Sequence, residues 1–186
     1  MPVPKLLIVC TANQCRSPIA GAFLARHARL ECPDLEITTA GFLQSGSPAP
    51  EEVLNAAARF GLDLGSHRSL EVSEDLLLQS DLIIGLTRRH VREIAVAAPS
   101  TWPRTFTLRQ LVRLGEAVGP RAPTQPISEW LALLHANRTS ADLLGADPID
   151  DVVDPTGGPS EGYDLLAEDL SHLTRAVVDL LWPVQR

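Results

Sequence analysis

The sequence predicts an α/β domain spanning residues 1–186, a three-layer arrangement in which a four-stranded parallel sheet carries helices on both faces. Three observations lead there. Short unbroken apolar runs, Leu6-Leu7-Ile8-Val9 and Leu82-Ile83-Ile84-Gly85-Leu86, read as strands buried on both sides, because a strand with one wet face alternates apolar and polar residues. Segments of helical period separate these runs, and strands alternating with helices are the pattern of a parallel sheet. The first run also passes, at Cys10, through a short loop into a helix start at Ser17-Pro18, and ligands of such sheets bind at the carboxyl ends of strands.

Composition narrows the class. A chain of 186 residues buries a sizeable core, and 45% hydrophobic with 21% charged residues is the balance of a soluble globular protein. A net charge of -7 argues against a general nucleic-acid binder and against a polybasic membrane anchor. The first residues offer one lysine and a four-residue apolar run, too short for a signal peptide or a membrane span, so a cytoplasmic protein is expected. Three cysteines fit neither a disulfide framework nor a four-ligand zinc site, and neither metal nor cofactor is expected.

Taken in order, Ser17 is expected as N-cap of the first helix with Pro18 at its first position. Ile19, Phe23, His27 and Leu30 share its face, and it ends near Cys32-Pro33. Leu35 to Thr39 is a second strand, turning at Ala40-Gly41 into a loop, Phe42 to Pro50, expected to wall a cleft. A helix over Glu51 to Phe60 stops at Gly61, and His67 follows a turn. A helical segment around Leu76 to Gln79 precedes the Leu82 strand, and a helix near Arg88 to Ala97 follows it. Pro103 to Thr107 supplies a fourth strand, and Leu108 to Val118 and Ile127 to Asn137 supply helices. Leu166, Leu170, Leu173, Val177 and Leu181 lie at helical spacing on a last, core-facing helix.

The chemistry concentrates in Cys10-Thr11-Ala12-Asn13-Gln14-Cys15-Arg16-Ser17. A cysteine ending a strand is most often a small core residue, and an arginine on a first helical turn is most often a solvated charge. Together, at a strand-to-helix junction, they suit a tetrahedral oxyanion. Backbone N–H groups of such a loop turn inward, the helix dipole adds positive potential, and the Arg16 fork matches two phosphoryl oxygens. The same field favours the thiolate of Cys10, with the Ser17 hydroxyl in reach of its sulfur, which makes an activated nucleophile. Cleaving a phosphate ester also needs a proton for the leaving oxygen. Two Asp-Pro pairs, Asp147-Pro148 and Asp154-Pro155, compete for that role. Cys15 stands close enough in sequence for a disulfide with Cys10 on oxidation, or simply faces the core, while Cys32 reads as a structural or surface thiol rather than a catalytic one.

These residues resemble the low-molecular-weight protein tyrosine phosphatases, whose signature is Cys-x5-Arg-Ser/Thr near the N-terminus. The resemblance continues through Thr39-Ala40-Gly41, Gly61 to Ser69, Asp81-Leu82-Ile83-Ile84 and Asp154-Pro155-Thr156-Gly157-Gly158, and leaves a divergent, insert-like segment at about 102–150. It implies a flavodoxin-like strand order and a cysteine-dependent phosphatase working through a phosphocysteine intermediate. Cys10 is then the nucleophile, Arg16 and Thr11 to Ser17 bind phosphate, and the general acid is Asp154. Asn13, Ser17, Thr39 and His67 hold the loop by hydrogen bonds. The implied partner is a phosphorylated protein or a small phosphomonoester, with the enzyme a monomer or weak homodimer and phosphotyrosine as first substrate.

Departures bear on substrate. Thr156 replaces the aromatic residue that usually follows the Asp-Pro pair, only Phe42 offers a ring in the loop after the second strand, and Ala12 replaces a loop glycine. Gln14 stands where a relative that removes phosphate from arginine has threonine. A protein-arginine phosphatase and a non-catalytic phosphate- or phosphopeptide-binding module therefore stand as alternatives. Arsenate reductases of this fold usually carry lysine at the Arg16 position, and thioredoxin-coupled forms need cysteines beyond Cys32, which this chain lacks.

Overall fold

The structure, a computed structural model, describes residues 3–136, 138–144 and 148–183. Asp147, one of the two candidate acids, and Asn137, the expected end of a helix, lie outside them. The strands are β1 (Lys5–Cys10), β2 (Glu36–Gly41), β3 (Leu82–Gly85) and β4 (Thr105–Thr107), all parallel, in the order β2-β1-β3-β4. That is the flavodoxin-like order, with β1 central.

Burial of the central strands follows from helices on both faces. Leu6, Ile8 and Cys10 of β1 point to one side with Leu82 and Ile84, and Leu7, Val9 and Ile83 point to the other, as period-two geometry requires. The first side is covered by α1 (Arg16–Ala28), α2 (Glu51–Arg59), α5 (Leu108–Val118) and α8 (Ser160–Leu181), through Phe23, Val53, Leu111 and Leu170 among others. The second side is covered by α3 (Glu74–Gln79) and α4 (Arg88–Ala97), through Leu77 and Ile94. Thr87 and Thr107 cap α4 and α5 by accepting from the backbone N–H three residues on, so each helix starts directly off a strand end. Segment 102–150 contributes β4 and α5, then α6 (Ile127–Ala136), whose Trp130 is fully buried and donates to Gly119 O at 2.9 Å, and the short α7 (Ser140–Leu144).

Three local expectations change. Residue 15, not Ser17, occupies the cap position of α1, and Cys15 provides no side-chain cap; the Ser17 hydroxyl is engaged at the site described below. Helix α1 closes at Ala28, leaving Leu30 88% exposed rather than on its apolar face. Pro103 belongs to a 3-10 helix, Pro99–Arg104, and the fourth strand is only Thr105–Thr107, because proline has no N–H to give a ladder.

Candidate active site

Cys10 ends β1, and the chain turns through residues 11–15 into α1. The turn needs one residue in the left-handed region, and Asn13 supplies it with φ 53°. Ala12, at the position of the family glycine, has negative φ and carries no such strain. Asn13 is fully buried, and its side-chain amide and its carbonyl are all engaged. Its Nδ2 donates to Ser17 Oγ at 2.8 Å, its Oδ1 accepts from Leu70 N at 2.8 Å, and its carbonyl meets His67 Nε2 at 2.7 Å. Gly41 lies beneath the turn so closely that a Cβ there would stand 2.6 Å from Asn13 N and 2.8 Å from Thr11 O. The turn is therefore clamped from the 67–70 segment and from the end of β2.

The hydroxyl of Ser17 has one proton. Asn13 Nδ2 is only a donor, so Ser17 accepts from it and gives its own proton to Cys10 Sγ at 3.1 Å or, at the 3.5 Å limit, to Ala40 O. Donation to sulfur suits a thiolate, which needs donors, far better than a thiol. Cys15 is no competitor, since burial, with Asp154 and Cys10 adding to it, pushes its thiol up to about 12.

Arg16 is buried, its side chain 6% exposed. Its Nη2 meets Asp154 Oδ2 at 2.6 Å and its Nη1 donates to Val152 O at 3.4 Å, which brings the Asp154 loop to the 10–17 turn. Asp154 Oδ1 accepts from the N–H of Thr156 at 3.1 Å and from its hydroxyl at 2.7 Å. Burial pushes this carboxyl up, yet the Thr156 hydroxyl and the Arg16 guanidinium outweigh it and hold it below the usual range. The loop is tied down just before the acid. Val152 N donates to Leu86 O at 2.8 Å, Arg88 N to Asp151 Oδ1 at 2.7 Å, and the buried Asp150 carboxylate takes Arg88 at 3.0 Å and Arg113 at 3.1 Å.

Thus Cys10, Asn13, Arg16, Ser17, His67 and Asp154 come together. Thr39 does not join them: its methyl faces Gly21 of α1, and among the described residues no hydrogen bond ties its hydroxyl to the turn. The strand's period of two turns Thr39 toward the helix, so the expected loop contact is corrected to a packing one. Gln14 and Ala12 are half-buried on the turn. Sequence reasoning passed over Asp150, Thr87 and His90. His90 is 1% exposed, meets Thr11 Oγ1 at 3.0 Å and stacks on Phe42, with centroids 6.1 Å apart. Its Thr-x-x-His spacing, a cap residue followed by a histidine on the first turn, was the available signal. Among the described residues no group of three metal-ligating side chains occurs.

A clamped turn between strand end and helix start, a buried guanidinium and a sulfur in reach of the serine hydroxyl can hold and attack a tetrahedral phosphoryl group. Known proteins agree. Residues 5–117 match the model of the low molecular weight phosphotyrosine protein phosphatases. The chain is 30% identical over 134 residues, 72% of its length and 90% of the relative's, to a probable low molecular weight protein-tyrosine-phosphatase EpsP of Ralstonia nicotianae. It is 26% identical over 178 residues, 95% of each chain, to a protein-arginine-phosphatase of Geobacillus stearothermophilus. The crystal structure of a low molecular weight protein tyrosine phosphatase from T. tengcongensis superposes with TM-score 0.72 at 26% identity, over 96% of this chain and 99% of that one. On this match of sequence and fold, the chain belongs to the low molecular weight phosphotyrosine protein phosphatase family.

Proposed function

We propose that this cysteine-dependent phosphatase hydrolyses phosphorylated protein side chains with Cys10 as nucleophile, Arg16 as phosphate fork and Asp154 as proton donor. The observation that supports the assignment is the buried Arg16 guanidinium, six residues after Cys10 and in contact with Asp154 at 2.6 Å. The thiolate attacks phosphorus in line while N–H groups of residues 11–17 and Arg16 bind the equatorial oxygens. Phosphate draws Arg16 away from Asp154 and leaves that carboxyl beside a dianion, where it takes up a proton; the P–O bond to the side chain breaks, and Asp154 gives that proton to the leaving oxygen. Asp154, now a carboxylate, takes a proton from water, whose oxygen attacks the phosphocysteine; Ser17 donates to the departing thiolate. Phosphate leaves and Cys10 returns. Hydrolysis of p-nitrophenyl phosphate that vanishes in Cys10→Ser supports this reading, and full activity in that variant refutes it. Phosphate binding without any turnover by the wild type would instead favour a sensing module.

Phosphotyrosine is the substrate the family membership favours. One observation speaks for phosphoarginine instead: the residue after Asp154-Pro155 is Thr156, with its hydroxyl bonded to Asp154, where a ring would stack on a phenol. Phosphotyrosine and phosphoarginine peptides assayed side by side separate the two. A cytoplasmic location and a monomer or weak homodimer are part of the same proposal; no described helix is long and apolar enough to cross a membrane. Peroxide inactivation through a Cys10–Cys15 disulfide belongs to it as well, and intact mass after mild peroxide tests it: over-oxidation of Cys10 alone would overturn it.

A further inference from the structure

His90 has no place in the chemistry just described, yet it is fully buried between the catalytic turn and the start of α4. Each of its ring nitrogens has one partner. Nε2 lies 3.0 Å from Thr11 Oγ1, on the residue that follows Cys10, and Nδ1 lies 3.0 Å from Thr87 Oγ1. Arg16 and Asp154 are both close enough to act on its charge. Burial, then Arg16 and Arg89, push the imidazole down to about 3, so it is neutral at physiological pH and carries a single N–H.

Which nitrogen holds that proton decides what Thr11 can do. Thr87 Oγ1 already accepts from His90 N, as cap of α4, at 3.4 Å. Its proton remains to be placed, and the acceptor in reach is Nδ1. With Nδ1 unprotonated the ring proton sits on Nε2 and is given to Thr11 Oγ1. Thr11 then has a lone pair occupied and its own proton free. The opposite tautomer would crowd two N–H donors onto Thr87 and draw the Thr11 proton back toward His90, away from the turn.

We propose that His90 is a positioning residue for the phosphatase reaction, which donates from Nε2 to Thr11 and thereby aims the Thr11 hydroxyl as a donor toward the phosphoryl group held by the turn. This rests on the phosphatase reading above. Thr11 acts on the transferring group; His90 acts only through it. Helix α4, capped at Thr87, sets the ring, and Phe42 stacked on its face limits its rotation. The chain of bonds Thr87 to His90 to Thr11 thus links the cap of a covering helix to the site.

Long-range nitrogen-proton NMR correlation on selectively histidine-labelled wild-type protein reads the tautomer directly. The expected result is His90 protonated on Nε2 and bare on Nδ1 at neutral pH; the reverse tautomer, or an imidazolium, overturns the proposal. Kinetics supply the second test, with p-nitrophenyl phosphate. Removing one preorganised donor to the transition state costs on the order of a hundredfold in kcat, so Thr11→Val and His90→Leu are each expected to lose about that factor with KM little changed. His90→Gln, whose amide can donate from the Nε2 position, is expected to recover most of the loss. In a double-mutant cycle His90→Leu adds no further loss to Thr11→Val, because its effect passes through that hydroxyl. Losses that multiply, or a Gln variant no better than Leu, would make His90 a packing residue and overturn the proposal. If Cys10→Ser kept activity, the phosphatase reading itself would fail, while the tautomer measurement would still stand on its own.

Discussion

Replacing Asn13 tests how the catalytic turn is held. Asn13→Ala removes two side-chain bonds, the donor to Ser17 Oγ and the acceptor for Leu70 N, both at 2.8 Å. At about 1 kcal/mol each, these amount to roughly 2 kcal/mol. A further cost of about 1 kcal/mol comes from placing a β-carbon residue other than asparagine at φ 53°. The expected loss is therefore about 3 kcal/mol, a large share of the 5–15 kcal/mol typical of domains. Asn13→Gly loses the same bonds but accepts the dihedral, so it should unfold later than the alanine variant by roughly 0.5–1 kcal/mol. Urea unfolding of the three proteins gives both differences. Activity separates turn geometry from stability: without its donor from Asn13, Ser17 no longer holds a fixed direction to Cys10 Sγ, and kcat should fall at least about tenfold in both variants. A loss below about 1 kcal/mol in the alanine variant, equal stabilities for alanine and glycine, or undiminished kcat would refute the reasoning.

Other expectations are narrower. Gly41→Ala puts a Cβ 2.6 Å from Asn13 N and must displace the turn, so phosphate affinity, measured by calorimetry, should fall more than overall stability does. Asp150→Asn leaves Arg88 and Arg113 without their carboxylate at a site where Asp150 is 2% exposed. A loss of about 3 kcal/mol in urea unfolding is expected, together with reduced kcat because the Asp154 loop loses its anchor. His90 contributes a pH dependence of definite sign. Its folded value is depressed from 6.5 to about 3, so its contribution is complete above 6.5 and is lost as pH falls through that window. Stability should drop by at most about 2 kcal/mol between pH 7 and 5 from this group, and the slope should flatten in His90→Gln.

Much of this was legible in the amino-acid order because local and global preferences agree. Leu6 to Val9 and Leu82 to Gly85 have no wet face to mark, so their unbroken apolarity announces buried parallel strands, and the last helix repeats its leucines faithfully. Cys10, Arg16 and Ser17 lie within eight residues, so spacing alone brings them together. What stayed hidden depends on contacts distant in sequence. Asp150 reads as one acidic residue among several until α4 and α5 deliver Arg88 and Arg113 to it. His90 lies 79 positions from Thr11 and is joined to it only by the pairing of β3 with β1. Thr39 was expected at the turn because the resembling family has a hydroxyl residue there that holds the loop, but side-chain alternation along β2 sends it to the helix face. Ser17 followed by Pro18 looks like a cap, yet the same hydroxyl is drawn to Asn13 and Cys10, and the helix begins without it.

The central claim, that Cys10 carries the phosphoryl group and Asp154 handles the protons, is tested most directly in Asp154→Ala. With p-nitrophenyl phosphate the leaving group needs little protonation, so the thiolate still attacks, but water is no longer activated and the intermediate should accumulate. Acid-quenched protein, digested and weighed, is predicted to carry one phosphoryl group on the peptide containing Cys10, and none in Asp154→Ala combined with Cys10→Ser. A phosphoryl group on another residue, or turnover in Asp154→Ala equal to that of the wild type with no adduct, would contradict the account.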